Sequence, residues 1–198
     1  MPAAPVARSR SIYAPPFRVD LEIRPDVPRV LSASALVAAI RAALLAGGAP
    51  EPASVGLILA DDAELAALNE AHMGTHGPTD VLSFPLLPPE AYPAHEGSPP
   101  RDAVDGAPGR RVERDRAFLL PPGTRLHLGD IVVSVERAIA QAEAGHGGQA
   151  GDVHWSPVDE LRLLVVHGGL HLCGWDHADP VEGAAMRALE RTLLIADR

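Results

Sequence analysis

At 198 residues and 46% hydrophobic content, the chain is long enough to bury one core and short for two domains. Cys173 is its only cysteine, which excludes an intramolecular disulfide or a thiolate metal cluster, and no apolar run approaches the ~20 residues of a membrane-spanning helix. A net charge of −9 argues against a general nucleic-acid binder, and a chain without a secretory apolar segment is expected in the cytosol.

Residues 1–16 lack periodicity and are expected to be irregular. Residues 17–23 alternate apolar and polar side chains as a half-buried strand does, and residues 34–45 have helical spacing that Gly47 and Gly48 stop. Residues 55–60 form an apolar run suited to a buried strand, after which Asp61 or Asp62 can cap a helix through Asn69. Residues 79–84 and 128–133 read as two more strands, the second feeding a helix from Ser134 to about Ala144.

Between those strands, a Pro- and Arg-rich stretch at about 86–125 has little periodicity and is expected to be a flexible insertion. The Arg clusters, Arg8 and Arg10, then Arg110, Arg111, Arg114 and Arg116, read as solvated linker charge. A Gly-rich stretch, 145–155, precedes Ser156-Pro157, a helix N-cap and first-turn pair. Asp179-Pro180 starts a last helix with an apolar stripe at Met186, Leu189 and Leu193. The expected fold is α/β (α+β): a mixed four-stranded sheet packed with about five helices in one domain.

The helix beginning at Ser156 carries the chemistry. His167 and His171 lie four apart, so both imidazoles can converge on one point. Gly174 allows the chain to reverse and return His177 to that point. Three neutral imidazoles suit Zn2+ and leave a fourth position for a water acidified to a pKa near ~7. Gly168 and Gly169 cost helix stability and imply close packing against the backbone, while Cys173 reads as a small core residue.

The spacing is that of a large class of zinc peptidases, but Gly168 stands where their Glu general base would be, which demotes protease chemistry. The run His167-Gly168-Gly169-Leu170-His171-Leu172-Cys173-Gly174-Trp175-Asp176-His177 instead resembles the signature of the YbeY family. The likeness extends to Leu68-Asn69, to residues 78–85 and to Leu128-Gly129-Asp130-Ile131.

The resemblance implies a zinc-dependent, single-strand-specific endoribonuclease. Its substrate would be single-stranded rRNA of the small ribosomal subunit, in 16S 3′-end maturation and ribosome quality control, with ribosomal proteins as further partners. His167, His171 and His177 carry over as the metal ligands. The family usually has an Arg shortly after the Leu-Asn pair, where Met73 stands here. Asp176 and then Asp130 are the candidate catalytic carboxylates, with Asp176 alternatively supporting a ligand imidazole. Thr79 and Ser83 could offer hydroxyls to the cleft, but Val81, Leu82 and Phe84 more simply mark that strand as sheet core, so neither is read as catalytic, and Trp175 reads as a packing residue rather than a base-stacking one. The competing readings are a ribosome-assembly factor with a structural zinc and a metallohydrolase of another substrate class.

Overall fold

The computed structural model describes residues 8–98, 125–145 and 155–196. Of the expected insertion, residues 99–124, with Arg110, Arg111, Arg114 and Arg116, lie outside the described residues, as do residues 146–154 of the Gly-rich stretch. The elements run β1 Arg8–Ala14, β2 Phe17–Ile23, α1 Ala33–Ala46, β3 Ala53–Ala60, α2 Asp62–Met73, β4 Val81–Pro85, β5 Leu126–Ser134, α3 Val135–Glu143, α4 Pro157–Leu172 and α5 Pro180–Ala196. No helix among them is long and apolar enough to cross a membrane.

The α/β expectation holds, with five strands rather than four, in the order β1-β2-β3-β5-β4. The strand missing from the sequence reading is β1, inside the stretch expected to be irregular. It pairs antiparallel with β2, Ile12 opposite Val19, at the edge of the sheet. Its run of Arg, Ser and Tyr brings only Ile12 and Ala14 to the core, so cross-strand pairing rather than local apolar pattern makes it a strand. Strands β2, β3 and β5 are parallel, and β4 runs antiparallel to β5 on the other edge.

Caps set the helix boundaries close to where composition places them. The Ser32 hydroxyl accepts from Ala35 N–H at 3.2 Å, starting α1 one residue before the expected position. Asp61 accepts from Glu64 N–H at 2.8 Å and opens α2, which continues four residues past Asn69 to Met73. Ser156 and Asp159 form a reciprocal capping box that starts α4.

One sheet face carries Leu57, Ile131 and Val133, which are fully buried in the core shared with Leu36, Ile40, Leu161 and Val165 of α1 and α4. The other face carries a smaller cluster of Ala60, Leu82 and Val132, covered by Leu65 of α2. Helix α4 is therefore a central element, buried along most of its length, with His167 and His171 on its half-buried side.

Glu160 departs from that apolar rule: it is 4% exposed, and its Oε2 meets no hydrogen-bond donor among the described residues. Burial, with the Asp80 carboxylate nearby, pushes its carboxyl up to about 7. A carboxyl whose folded pKa is raised binds more protons folded than unfolded, so stability falls as pH rises from about 4.5 through about 7. Glu160→Gln is expected to raise the thermal midpoint at pH 8, by a free energy on the order of 3 kcal/mol at most. The gain should vanish by pH 4.5; an equal gain at both pH values would refute the assignment.

Candidate metal centre

Glycines in α4 fix the height of the imidazoles above the sheet. A Cβ at Gly168 would stand 2.7 Å from Ile131 Cγ2 and 3.0 Å from Val81 Cγ2, and one at Gly169 would stand 2.8 Å from both Ala43 Cβ and Ile40 Cδ1. The two glycines thus let α4 lie directly on β4, β5 and α1, the close packing that their helix-weakening presence implied. Ser83 Oγ donates to the Gly168 carbonyl at 3.0 Å, tying the edge strand to the same turn of helix.

The helix ends through Gly174, at φ +82°, whose N–H donates to the His171 carbonyl while Trp175 N–H returns to Leu170. That reversal brings His177 back, and the ligand atoms of His167, His171 and His177 lie within 4.8 Å of one another. Cys173 is not part of the group. It packs against Gly47, 1% exposed, and burial pushes its thiol up to about 12.

Hydrogen bonds set the tautomers. His171 Nδ1 lies 2.7 Å from the Trp175 carbonyl, which can only accept, so Nδ1 carries the proton. His167 Nδ1 donates to Glu190 Oε1 at 2.7 Å. Both rings then turn their Nε2 lone pairs toward each other, 3.0 Å apart. Two lone pairs at that distance repel unless a cation sits between them, so the donor set fits a metal ion. Burial, then the neighbouring His167, pushes His171 down to about 4, so its ring is neutral at cellular pH.

The loop bearing His177 is fastened from two sides. Asp176 N–H donates to Glu182 Oε1 at 2.8 Å, and the same oxygen lies 2.7 Å from His95 Nε2. The His95 ring stacks on Trp175, centroids 3.9 Å apart and planes 12° apart, so Trp175 is a packing residue with one face covered. His95 comes from the start of the insertion, so this part of it is structured against the metal loop.

Asp176 lies in the cleft of ≈ 630 Å³ that holds the three imidazoles, along with Met73, Asp80 and Ser83. Its Oδ1 accepts the backbone N–H groups of His177 and Ala178, which holds the carboxyl below the usual range. It therefore does not support a ligand imidazole; Glu190 and the Trp175 carbonyl do so for His167 and His171. Asp130 is a second correction. It pairs with Phe84, one register position from Ile131, and points to the face away from α4, where its Oδ1 lies 3.2 Å from His127 Nε2. Strand alternation removes it from the cleft. Thr79 and Ser83 reach the cleft wall with their hydroxyls already donated, to Asp80 and to Gly168.

Glu190 and Glu182 escaped the sequence reading although a signal was present. Glu182, Met186, Glu190 and Leu194 repeat every four residues along α5 and are 3%, 1%, 2% and 6% exposed. Two acids on a buried stripe require partners, and both serve the histidine loop or its ligands.

The sequence profile of the family described as Endoribonuclease YbeY matches residues 27–196. The chain is 34% identical over 180 residues to an endoribonuclease YbeY of a Roseiflexus species, covering 90% of this chain and 91% of the relative. It is 38% identical over 181 residues to the endoribonuclease YbeY of Salinispora tropica, covering 91% and 97%. The solution structure of a Thermotoga maritima protein matches with a TM-score of 0.50 at 20% identity, covering 91% of this chain and 88% of that one, which bears on the fold alone.

Proposed function

The chain belongs to the YbeY endoribonuclease family, and from that premise we propose that it is a zinc-dependent endoribonuclease cutting single-stranded RNA at His167, His171 and His177. The observation that carries the reading is the pair of imidazole lone pairs held 3.0 Å apart, with His177 beside them. The family resemblance supports a cytoplasmic role in 16S rRNA 3′-end maturation and late quality control of the small subunit, with ribosomal proteins as partners. We read residues 1–198 as one domain, with the stretch at about 86–125 as its appendage.

When bound, zinc supplies Lewis-acid polarisation and lowers the pKa of a water toward ~7. His171, neutral at cellular pH, presents a lone pair without first losing a proton. Asp176, ionised because His177 N–H and Ala178 N–H hold its pKa down, has an Oδ2 with no hydrogen bond among the described residues. It orients the attacking water by accepting its proton in a hydrogen bond, and its low basicity makes it an orienter rather than a strong base.

A peptidase reading needs a carboxylate basic enough to act as general base beside the ion, and Asp176, which faces the cleft, is held ionised and weakly basic by the backbone N–H groups it accepts. Glu190 is close, but it sits on the Nδ1 side of His167 with its side chain 3% exposed, away from the converging Nε2 atoms. The assembly-factor reading draws on the net charge of −9.

The test is cleavage of a single-stranded RNA bearing the 16S 3′ end by the zinc-loaded chain, after chelation and after zinc is restored. Specific cuts should disappear and return while the helical circular dichroism persists. Stoichiometric zinc without cuts, and helical signal lost on chelation, would favour the structural zinc of an assembly factor.

A further inference from the structure

We propose that Arg187 binds a backbone phosphate of the RNA on the α5 side of the metal centre; this rests on the phosphodiester reading above. A phosphoryl centre under attack gathers negative charge that needs a cation beside it. The chain has no lysine. Among the described residues, none of those lining the main cleft is an arginine, and Met73 there is uncharged. Among the described residues, the cationic side chain next to the imidazoles lies on the other side of them.

A second cavity of ≈ 280 Å³ shares His167 and His177 with the cleft and adds Gly183, Met186, Arg187 and Glu190. Arg187 is half-buried and makes no hydrogen bond or ion pair with the described residues. Glu190, the acid in the same cavity, is committed to His167 instead. Gly183 makes the room. A Cβ there would stand 3.3 Å from Arg187 Nη1 and 3.3 Å from both Cα and Cβ of His177, so guanidinium and ligand flank one side-chain-free position.

The guanidinium thus has its donor fork unspent beside a ligand histidine, the arrangement suited to bidentate capture of a phosphate. Arg191, exposed and one turn further along α5, extends the cationic edge away from the centre. In a chain this acidic, such a local edge gives RNA a track that the net charge does not suggest.

The experiment compares the zinc-loaded wild type with Arg187→Ala and Arg187→Lys. It measures cleavage of single-stranded RNA, binding against salt of an analogue whose linkages are charged, non-hydrolysable methylene phosphonates, zinc content and thermal midpoint. For Arg187→Ala we expect kcat/KM to fall roughly 10-fold or more, and the log–log salt slope of binding to shrink by about 0.7, the value of one lost phosphate contact on a single strand. Zinc content and midpoint should stay at wild-type values, and Lys should restore the slope but only part of the rate. An unchanged rate and slope, no binding of the analogue by the wild type, or a rate loss accompanied by zinc loss would overturn the assignment. A wild type that binds the analogue but cuts no RNA would overturn the nuclease reading, and the slope would still decide Arg187.

Discussion

His171→Ala is expected to lose stoichiometric zinc and to cleave single-stranded RNA at least on the order of 10³-fold more slowly than the parent, because the ion's contribution of several kcal/mol goes with it. His171 is the ligand whose geometry is most constrained. Its Nδ1–H is spent on the Trp175 carbonyl at 2.7 Å, its Nε2 stands 3.0 Å from that of His167, and burial keeps the ring neutral. Removing it takes away one lone pair and unties the turn that returns His177. The fold should survive, since the ring is only half-buried and the packing of α4 rests on Leu161, Val165, Leu170 and Leu172. The checks are metal content, cleavage rate and circular dichroism on one preparation. Cleavage at the parental rate with zinc absent would remove the metal from the mechanism.

The three histidines were legible because their information is local: helical spacing, one glycine and a reversal. The helices were legible for the same reason, each opening on a Ser or Asp cap that the structure uses. What failed depends on contacts far apart in sequence. Strand β1 exists through its pairing with β2, and its polar residues carry no apolar pattern. Asp130 was drawn to the site by its place in a resembling segment, whereas the alternation of β5 turns it to the opposite face.

The support of the centre was the least legible part. His95 reaches Trp175 and Glu182 from a stretch whose composition suggests only a loop, 87 residues before its hydrogen-bond partner. The metal loop is held by an insertion residue above it and by α5 beneath it, so a reading limited to the motif sees the ligands without their supports. The two glutamates on the buried stripe of α5 are the exception, because an acid at a core-facing position announces a partner even when the partner is unknown.

Glu190 makes that argument quantitative. Its carboxylate, with the side chain 3% exposed, accepts the His167 Nδ1–H at 2.7 Å and so fixes both the tautomer and the direction in which Nε2 points. Glu190→Ala removes the acceptor, leaves a buried N–H unsatisfied at a cost of about 1–3 kcal/mol, and frees the ring to turn. Zinc affinity should fall roughly 10- to 100-fold, the usual loss when such a supporting partner is removed. Glu190→Gln keeps a carbonyl oxygen to accept the bond but no charge, so its affinity should lie between the two. Competition against a chelator of known strength gives the affinities, and thermal midpoints of the metal-free forms separate lost support from lost folding. An alanine variant holding zinc as tightly as the parent would mean that packing alone orients His167. Intermediate affinity for Gln with an unchanged metal-free midpoint would place the effect in the hydrogen bond itself.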